Sequence, residues 1–287
     1  MKKIGFIGTG VMGSSVVKHL LKANYEVVEY NRTKAKTDEL VQLGAVWQET
    51  PKKVTEASEL IFTMVGFPED VEQTYFGEEG IFAADVTGKI MIDMTTSTPS
   101  LAKKIADRAK FSRGFALDAP VSGGDLGAKN GTLTTMVGGD EEIFEEVKDI
   151  LAVFSSKVNL QGKAGSGQHT KMANQIMIAG TMTGMTELLV YAKAAKLDIE
   201  KVLDPVGGGS AANWSLTNYA PRILKEDYTP GFFVKHFVKD LNIALTEVEK
   251  MGIELPATKE ARDLYNQLME QGFENDGTQA LIKLWWS

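Results

Sequence analysis

The stretch IGFIGTGVMGSSVVKHLL, residues 4–21, restricts the fold of this chain more than any other. Gly8, Gly10 and Gly13 stand in the spacing G-x-G-x-x-G. Before them, residues 4–7 are apolar and read as a strand. After them, Val11, Met12, Val16, Val17, Leu20 and Leu21 recur at helical spacing. Between a strand and a helix, each glycine has a task. The first permits the tight turn, the second lets a pyrophosphate approach the backbone, and the third lets helix and strand pack closely. The helix N-terminus then offers unpaired N–H groups and partial positive charge to the phosphates. The same glycines would also serve a bare turn that needs φ > 0.

Beyond residue 21 the chain alternates. Strand-like runs occur at residues 26–30, 60–65, 89–94, 115–119, 133–137 and 157–160, with helical stretches at 33–43, 51–57, 99–109 and 141–154. The pattern predicts an α/β domain with a doubly wound, mostly parallel sheet. The last strands are expected to be antiparallel, because the short connection near Gly131 cannot hold a crossover helix. After the glycine-rich GKAGSGQ the strands stop. Helices are expected near 169–196, 199–203, 233–250, 256–271 and 278–285. The chain thus divides into a Rossmann-like domain over residues 1–163 and an all-α domain over 164–287, and 287 residues suffice for two cores. Residues 181–191 are apolar on more than one face, as at a domain or subunit interface.

Composition removes several classes of function. A net charge of -7 argues against nucleic-acid binding. The absence of cysteine rules out disulfides and thiol chemistry. His19, His169 and His236 have no metal-ligand spacing, so no metal is expected. No apolar run reaches membrane-spanning length, and no signal peptide precedes the first strand, so a cytoplasmic protein is expected.

The end of the second strand bears on the cofactor. An NAD site of this type places an acid there to bind the ribose hydroxyls. This chain has Asn31, Arg32 and Thr33, and its nearest acid, Glu29, lies two residues short of the tip. Asn31 does not repel a 2′-phosphate, Arg32 can pair with it, and Thr33 can donate a hydroxyl or cap the next helix. NADP is the expected cofactor, with NAD left open.

Five blocks, GFIGTGVMG, DAPVSGG, GTLTTMVGG, GSGQHTKMANQ and FVKHFVKDLNIAL, occur in that order. Together they resemble the β-hydroxyacid dehydrogenase family, over essentially the whole chain. That family includes 3-hydroxyisobutyrate, tartronate semialdehyde and γ-hydroxybutyrate enzymes and, more distantly, 6-phosphogluconate dehydrogenase. The resemblance implies a Rossmann-like domain joined to a helical one, a small carboxylate substrate and a homodimer or homotetramer. It makes Lys171 the catalytic proton donor and acceptor, a role that suits an ammonium beside a developing alkoxide. It makes Asn174, three residues on, the group that orients the substrate hydroxyl. Ser122, Gly123 and Gly124 match the carboxylate loop, and Thr96 the threonine near nicotinamide and substrate. Thr98 before Pro99 also reads as a helix cap. Met64 and Val65 match cofactor contacts, and Lys239 and Asp240 a pair beside the nicotinamide, with Lys239 toward the cofactor and Asp240 toward the substrate. Trp214 and Phe232 are candidates for the wall of the substrate pocket.

The segment MVGFPE departs from the family's commoner MLP type. NRT is commoner among its NADPH-using reductases, while the DAPVSGG and GTLTTMVGG blocks look closer to 3-hydroxyisobutyrate and tartronate semialdehyde enzymes. The substrate therefore stays open among them. An imine reductase shares the architecture but generally lacks the lysine, so Lys171 opposes that reading. A non-catalytic cofactor-binding module is opposed by Lys171, Asn174 and Ser122 together.

Overall fold

The computed structural model describes residues 3–286. The chain packs as two compact units, Met1–Lys171 and Met172–Ser287.

The first unit is built on one sheet. Its strands are β1 (Ile4–Ile7), β2 (Val27–Tyr30), β3 (Val46–Trp47), β4 (Leu60–Thr63), β5 (Ile90–Asp93), β6 (Phe115–Asp118), β7 (Val121–Ser122), β8 (Leu133–Gly138) and β9 (Ser155–Gly162). The order is β3-β2-β1-β4-β5-β6-β8-β7, with β9 also paired to β8. The pairings from β3 through β6 are all parallel. β8 runs antiparallel to β6 and β7, and β9 runs parallel to β8. The expected reversal therefore holds for β8 but not for β9, which a helix connects to β8, and the segment before Gly131 holds a short helix, Gly124–Asn130, contrary to expectation.

Helices cover both faces because successive strand residues point to opposite sides. Ile4, Phe6, Leu60, Phe62, Ile90 and Ile92 share one core with residues of α1 (Val11–Lys22), α2 (Asp38–Gln42), α6 (Gly124–Asn130) and α7 (Glu141–Leu151). Ile7, Val28, Ile61 and Met91 point the other way, toward α3 (Pro51–Glu56), α4 (Pro68–Phe76) and α5 (Pro99–Phe111). Side-chain caps start several of these helices. Thr50 accepts from Lys53 N, Thr98 from Leu101 N, and Asp140 from Glu142 N and Ile143 N. Thr98 thus has the structural role foreseen for it. α1 packs on α6, and His19 Nε2 lies 3.0 Å from Ala128 O and 3.1 Å from Lys129 O, the last-turn carbonyls of α6.

α8 (Ser166–Ala194) starts in the first unit and continues into the second. The second unit adds α9 (Ile199–Gly207), α10 (Trp214–Ile223), α11 (Val234–Lys250), α12 (Pro256–Glu270) and a closing 3₁₀ turn, Thr278–Leu284. Among the described residues it contains no strand of the sheet. α11 and α12 pack through Val234, Phe237, Leu241, Ala261, Tyr265 and Leu268, and the buried Tyr265 hydroxyl donates to Thr278 O at 2.8 Å. On α8, Met182, Met185, Thr186 and Leu189 are buried, whereas Met177 and Tyr191 are exposed. Within this unit, then, α8 is buried on one face rather than on several. Among the described residues no helix is long and apolar enough to cross a membrane.

Candidate active site

Sheets of this order bind ligands at the carboxyl ends of the strands, where the order reverses. Here that point lies between β1 and β4, and the three glycines follow β1. Gly8 has φ +101°, and a Cβ there would overlap Met64 O. A Cβ at Gly13 would overlap Gly8 O. The protein's own packing therefore demands both glycines. Gly10 differs. Its φ is -71°, and a Cβ there would meet nothing within 4 Å. Neither backbone strain nor a neighbour requires it. The open space belongs to something that approaches the backbone, as a pyrophosphate does at the start of α1. The first turn of α1 has no side-chain cap, so its amides are left for such an anion. The residues fit a dinucleotide. Val11 is exposed beside the opening, and Met12 packs against the core.

At the tip of β2, Asn31 Nδ2 donates to Thr33 O at 2.9 Å, closing the turn. Arg32 is 85% exposed at its side chain and lies 3.2 Å from Asp70 Oδ1. Asp70 also accepts from Phe67 N at 3.1 Å at the start of α4. Thr33 precedes a 3₁₀ turn, Lys34–Lys36, but makes no side-chain cap bond there, so its expected capping role is corrected. Glu29 is fully buried. Burial pushes its carboxyl up to about 7, with the Thr9 hydroxyl pulling it partway back.

A continuous polar chain crosses the ends of β4, β5 and β6. Val65 N donates to Thr95 Oγ1 at 3.0 Å, and Thr95 N donates to Asp93 Oδ1 at 3.1 Å. Thr63 Oγ1 donates to the same Asp93 oxygen at 2.8 Å. Gln168 Nε2 donates to Thr95 O at 2.7 Å, and Gln168 Oε1 accepts from Ser97 N at 2.9 Å. One side chain thereby grips the backbone on both sides of Thr96, which is itself half-buried. Asp118 completes the chain by accepting from Gly165 N at 2.7 Å and Gln168 N at 2.8 Å. It caps the start of α8 from another strand, where negative charge is favourable. Burial raises the Asp93 carboxyl to about 6 and raises that of Asp118, while the amide donors oppose the shift.

Lys171 lies one turn further along α8 and is 7% exposed. A buried lysine at a fixed helix start is not the solvated surface lysine that residue type alone suggests. Asp93, Asp118 and Gln168 were not singled out from the sequence, although Asp118 and Gln168 lie inside the DAPVSGG and GSGQHTKMANQ blocks. Polar residues ending apolar strands were the available signal.

Ser122 pairs with Thr134 across β7 and β8. Gly123 and Gly124 follow at φ +124° and +62°, backbone conformations that favour glycine. Met64 and Val65 are half-buried just past β4, against the glycine loop.

In the second unit, Asn174 Nδ2 donates to Gln175 Oε1 at 2.8 Å, and Gln175 Nε2 donates to Asp240 Oδ2 at 2.7 Å. Lys239 Nζ lies 3.1 Å from Asp240 Oδ1. Asp240 is only 1% exposed. Trp214 is exposed and packs edge-on against Tyr219 of its own helix, with centroids 5.3 Å apart. Phe232 is half-buried against Phe237 at 5.7 Å.

These features define an NAD(P)-dependent oxidoreductase. Residues 3–162 match the NAD binding domain of 6-phosphogluconate dehydrogenase. Residues 165–285 match the NAD-binding family of NADP-dependent 3-hydroxyisobutyrate dehydrogenase. The chain belongs to the 3-hydroxyisobutyrate dehydrogenase family of NAD(P)-dependent hydroxyacid oxidoreductases. It is 52% identical to the uncharacterized oxidoreductase YkwC of Bacillus subtilis (strain 168), over 99% of each chain. It is 38% identical to 2-hydroxy-3-oxopropionate reductase of Escherichia coli (strain K12), over 98% of this chain and 96% of that one. Among solved structures, Mycobacterium tuberculosis 3-hydroxyisobutyrate dehydrogenase with L-serine superposes with a TM-score of 0.91 at 25% identity, covering 100% of both chains.

Proposed function

We propose that this chain transfers hydride between NADP(H) and a small 3-hydroxy acid or its semialdehyde, of the 3-hydroxyisobutyrate, tartronate semialdehyde or succinic semialdehyde type. Lys171 is the proton donor and acceptor. The observation that carries the reading is a buried lysine at a helix start held by Asp118 and Gln168. The nicotinamide supplies or accepts the hydride. Lys171 gives a proton to the carbonyl oxygen during reduction and takes it back from the hydroxyl during oxidation. Asn174 orients that hydroxyl. Ser122 and the Gly123 and Gly124 amides bind the substrate carboxylate, and the Gln168 grip fixes Thr96 beside it. Lys239 assists at the cofactor. Phe232 and Trp214 contribute apolar surface to the pocket. Asn31 and Arg32 favour NADP, and NAD is accepted more weakly.

We further infer a homodimer or homotetramer. The exposed face of α8 supports it, with Met177 at 67% and Tyr191 at 73% exposure, and Gly180 and Gly184 open between them.

The test is turnover of NADPH with a panel of semialdehydes, in wild type and Lys171→Ala. A loss of several orders of magnitude in kcat with unchanged NADPH affinity is expected, because the lysine serves the transition state. Activity within tenfold of wild type would remove Lys171 from its role.

A further inference from the structure

The second unit contains a buried row of polar groups that runs from α11 to α8 and ends on Asn174. Gln175 and Asp240 are each 1% exposed. The Lys239 side chain is 11% exposed, and its Nζ lies 3.1 Å from Asp240 Oδ1. The order of contacts is Lys239, Asp240, Gln175, Asn174, at 3.1, 2.7 and 2.8 Å.

This row has a direction, and Asp240 sets it. A carboxylate only accepts hydrogen bonds. The amide of Gln175 must therefore turn its NH₂ toward Asp240, which leaves its carbonyl facing Asn174. Asn174 must in turn offer its own NH₂ to that carbonyl. Flipping either amide would set oxygen against oxygen, or leave a buried carboxylate oxygen without its donor. Each fault costs more in a buried setting than on the surface. An isolated asparagine can present its two ends to a ligand either way round. Here one way is enforced.

We propose that Gln175 and Asp240 are positioning residues for the reaction, because together they lock the amide of Asn174 in a single orientation toward the substrate. Lys239 neutralises the buried charge that makes the lock directional. Asp240, 1% exposed, acts through Gln175 rather than by touching substrate. The inference rests on the substrate role of Asn174 proposed above.

Steady-state kinetics and side-chain amide NMR of the full-length protein test it. Gln175→Leu removes the link, and Asp240→Asn replaces a charged group that only accepts with a neutral one that also donates, so the row loses its fixed direction. Each should lower kcat/KM roughly tenfold, the loss expected for one buried hydrogen bond to a charged partner, with NADPH affinity unchanged. In an Asn174→Ala background neither should lower kcat/KM further, because residues acting in series are not additive. A general packing defect would persist in that background and would overturn the proposal. The Asn174 side-chain amide resonances should shift in Asp240→Asn, where residue 240 does not touch Asn174 directly. Unmoved resonances would also overturn the proposal. Shifted resonances with full activity in Asn174→Ala would instead overturn the substrate role of Asn174 and leave the lock standing. If Gln175→Leu fails to fold, Asp240→Asn alone decides, since it changes no volume.

Discussion

Asp118 and Gln168, fifty residues apart, meet at 2.8 Å, carboxylate to backbone amide, and the Gln168 side chain then binds the backbone around Thr96. Removing the carboxylate would leave two buried amides, Gly165 and Gln168, without acceptors. Asp118→Ala should therefore cost roughly 2–6 kcal/mol of stability, at about 1–3 kcal/mol for each unsatisfied donor. Asp118→Asn keeps one acceptor and should cost less than Asp118→Ala. Urea unfolding at pH 7 would measure both. Equal stability of wild type and Asp118→Ala would mean that α8 does not depend on this cap.

The elevated carboxyls predict the pH dependence of stability. Glu29 titrates near 4.5 when unfolded and near 7 when folded. The folded state then holds the proton more tightly between those values. Stability is greatest below the unfolded value, falls as pH rises through the window, and levels off above about 7. Asp93, raised to about 6, has the same sign over a lower window. Glu29→Gln removes one contribution. It should match wild type near pH 4 and exceed it at pH 8, by at most about 3 kcal/mol for a shift of this size. A stability difference that does not vary with pH would refute the assignment.

Cofactor choice is expected to depend on Arg32 and its neighbour Asp70. Arg32→Ala should weaken NADPH by roughly 1.5–3 kcal/mol, the range for a charge-assisted bond, and barely affect NADH. The 3.2 Å pair is exposed, so the guanidinium leaves it at little cost. Asp70→Asn keeps an oxygen for Phe67 N and removes the competing charge, so it should tighten NADPH. Fluorescence titration of both cofactors decides. Equal weakening of NADPH and NADH in Arg32→Ala would reduce Arg32 to a surface charge.

Ser122→Ala should raise KM for a carboxylate substrate and lower kcat/KM by roughly one to two decades, through loss of one donor to a charged acceptor. Simple aldehydes without a carboxylate should be unaffected. If they react as well as the semialdehydes, the loop does not bind an anion.

Light scattering at micromolar concentration should report a dimer or tetramer. A strictly monomeric mass would leave the exposed Met177 and Tyr191 without the partner assigned to them.

The strands were legible because buried parallel strands are near-continuous apolar runs, and the loop was legible from its glycine spacing. What escaped has little apolar periodicity. β3 is two residues long, with Val46 53% exposed. α4 buries only Val71 and Tyr75, α6 buries only Gly127 and Ala128, and α10 contains Pro221. The helix expected over 33–43 is a 3₁₀ turn and a five-residue α2 that buries only Leu40. At the candidate site, Lys171, Asn174 and Ser122 were proposed from the family blocks. Their supports could not be, because the Asp118–Gln168 and Gln175–Asp240 contacts join distant segments and follow no period.

For protein engineering, the bracket that His19 makes between α1 and α6 has a practical meaning. α1 begins at the glycine loop, and α6 begins at the Ser122 loop. His19 joins the two helices through the last turn of α6. A library that reshapes α1 around His19 to accept another dinucleotide is expected to disturb α6 and, with it, the loop proposed above to bind the substrate carboxylate. With the roles proposed above, selection for a new cofactor at those positions carries a hidden trade-off in substrate range that changes at the tip of β2 avoid.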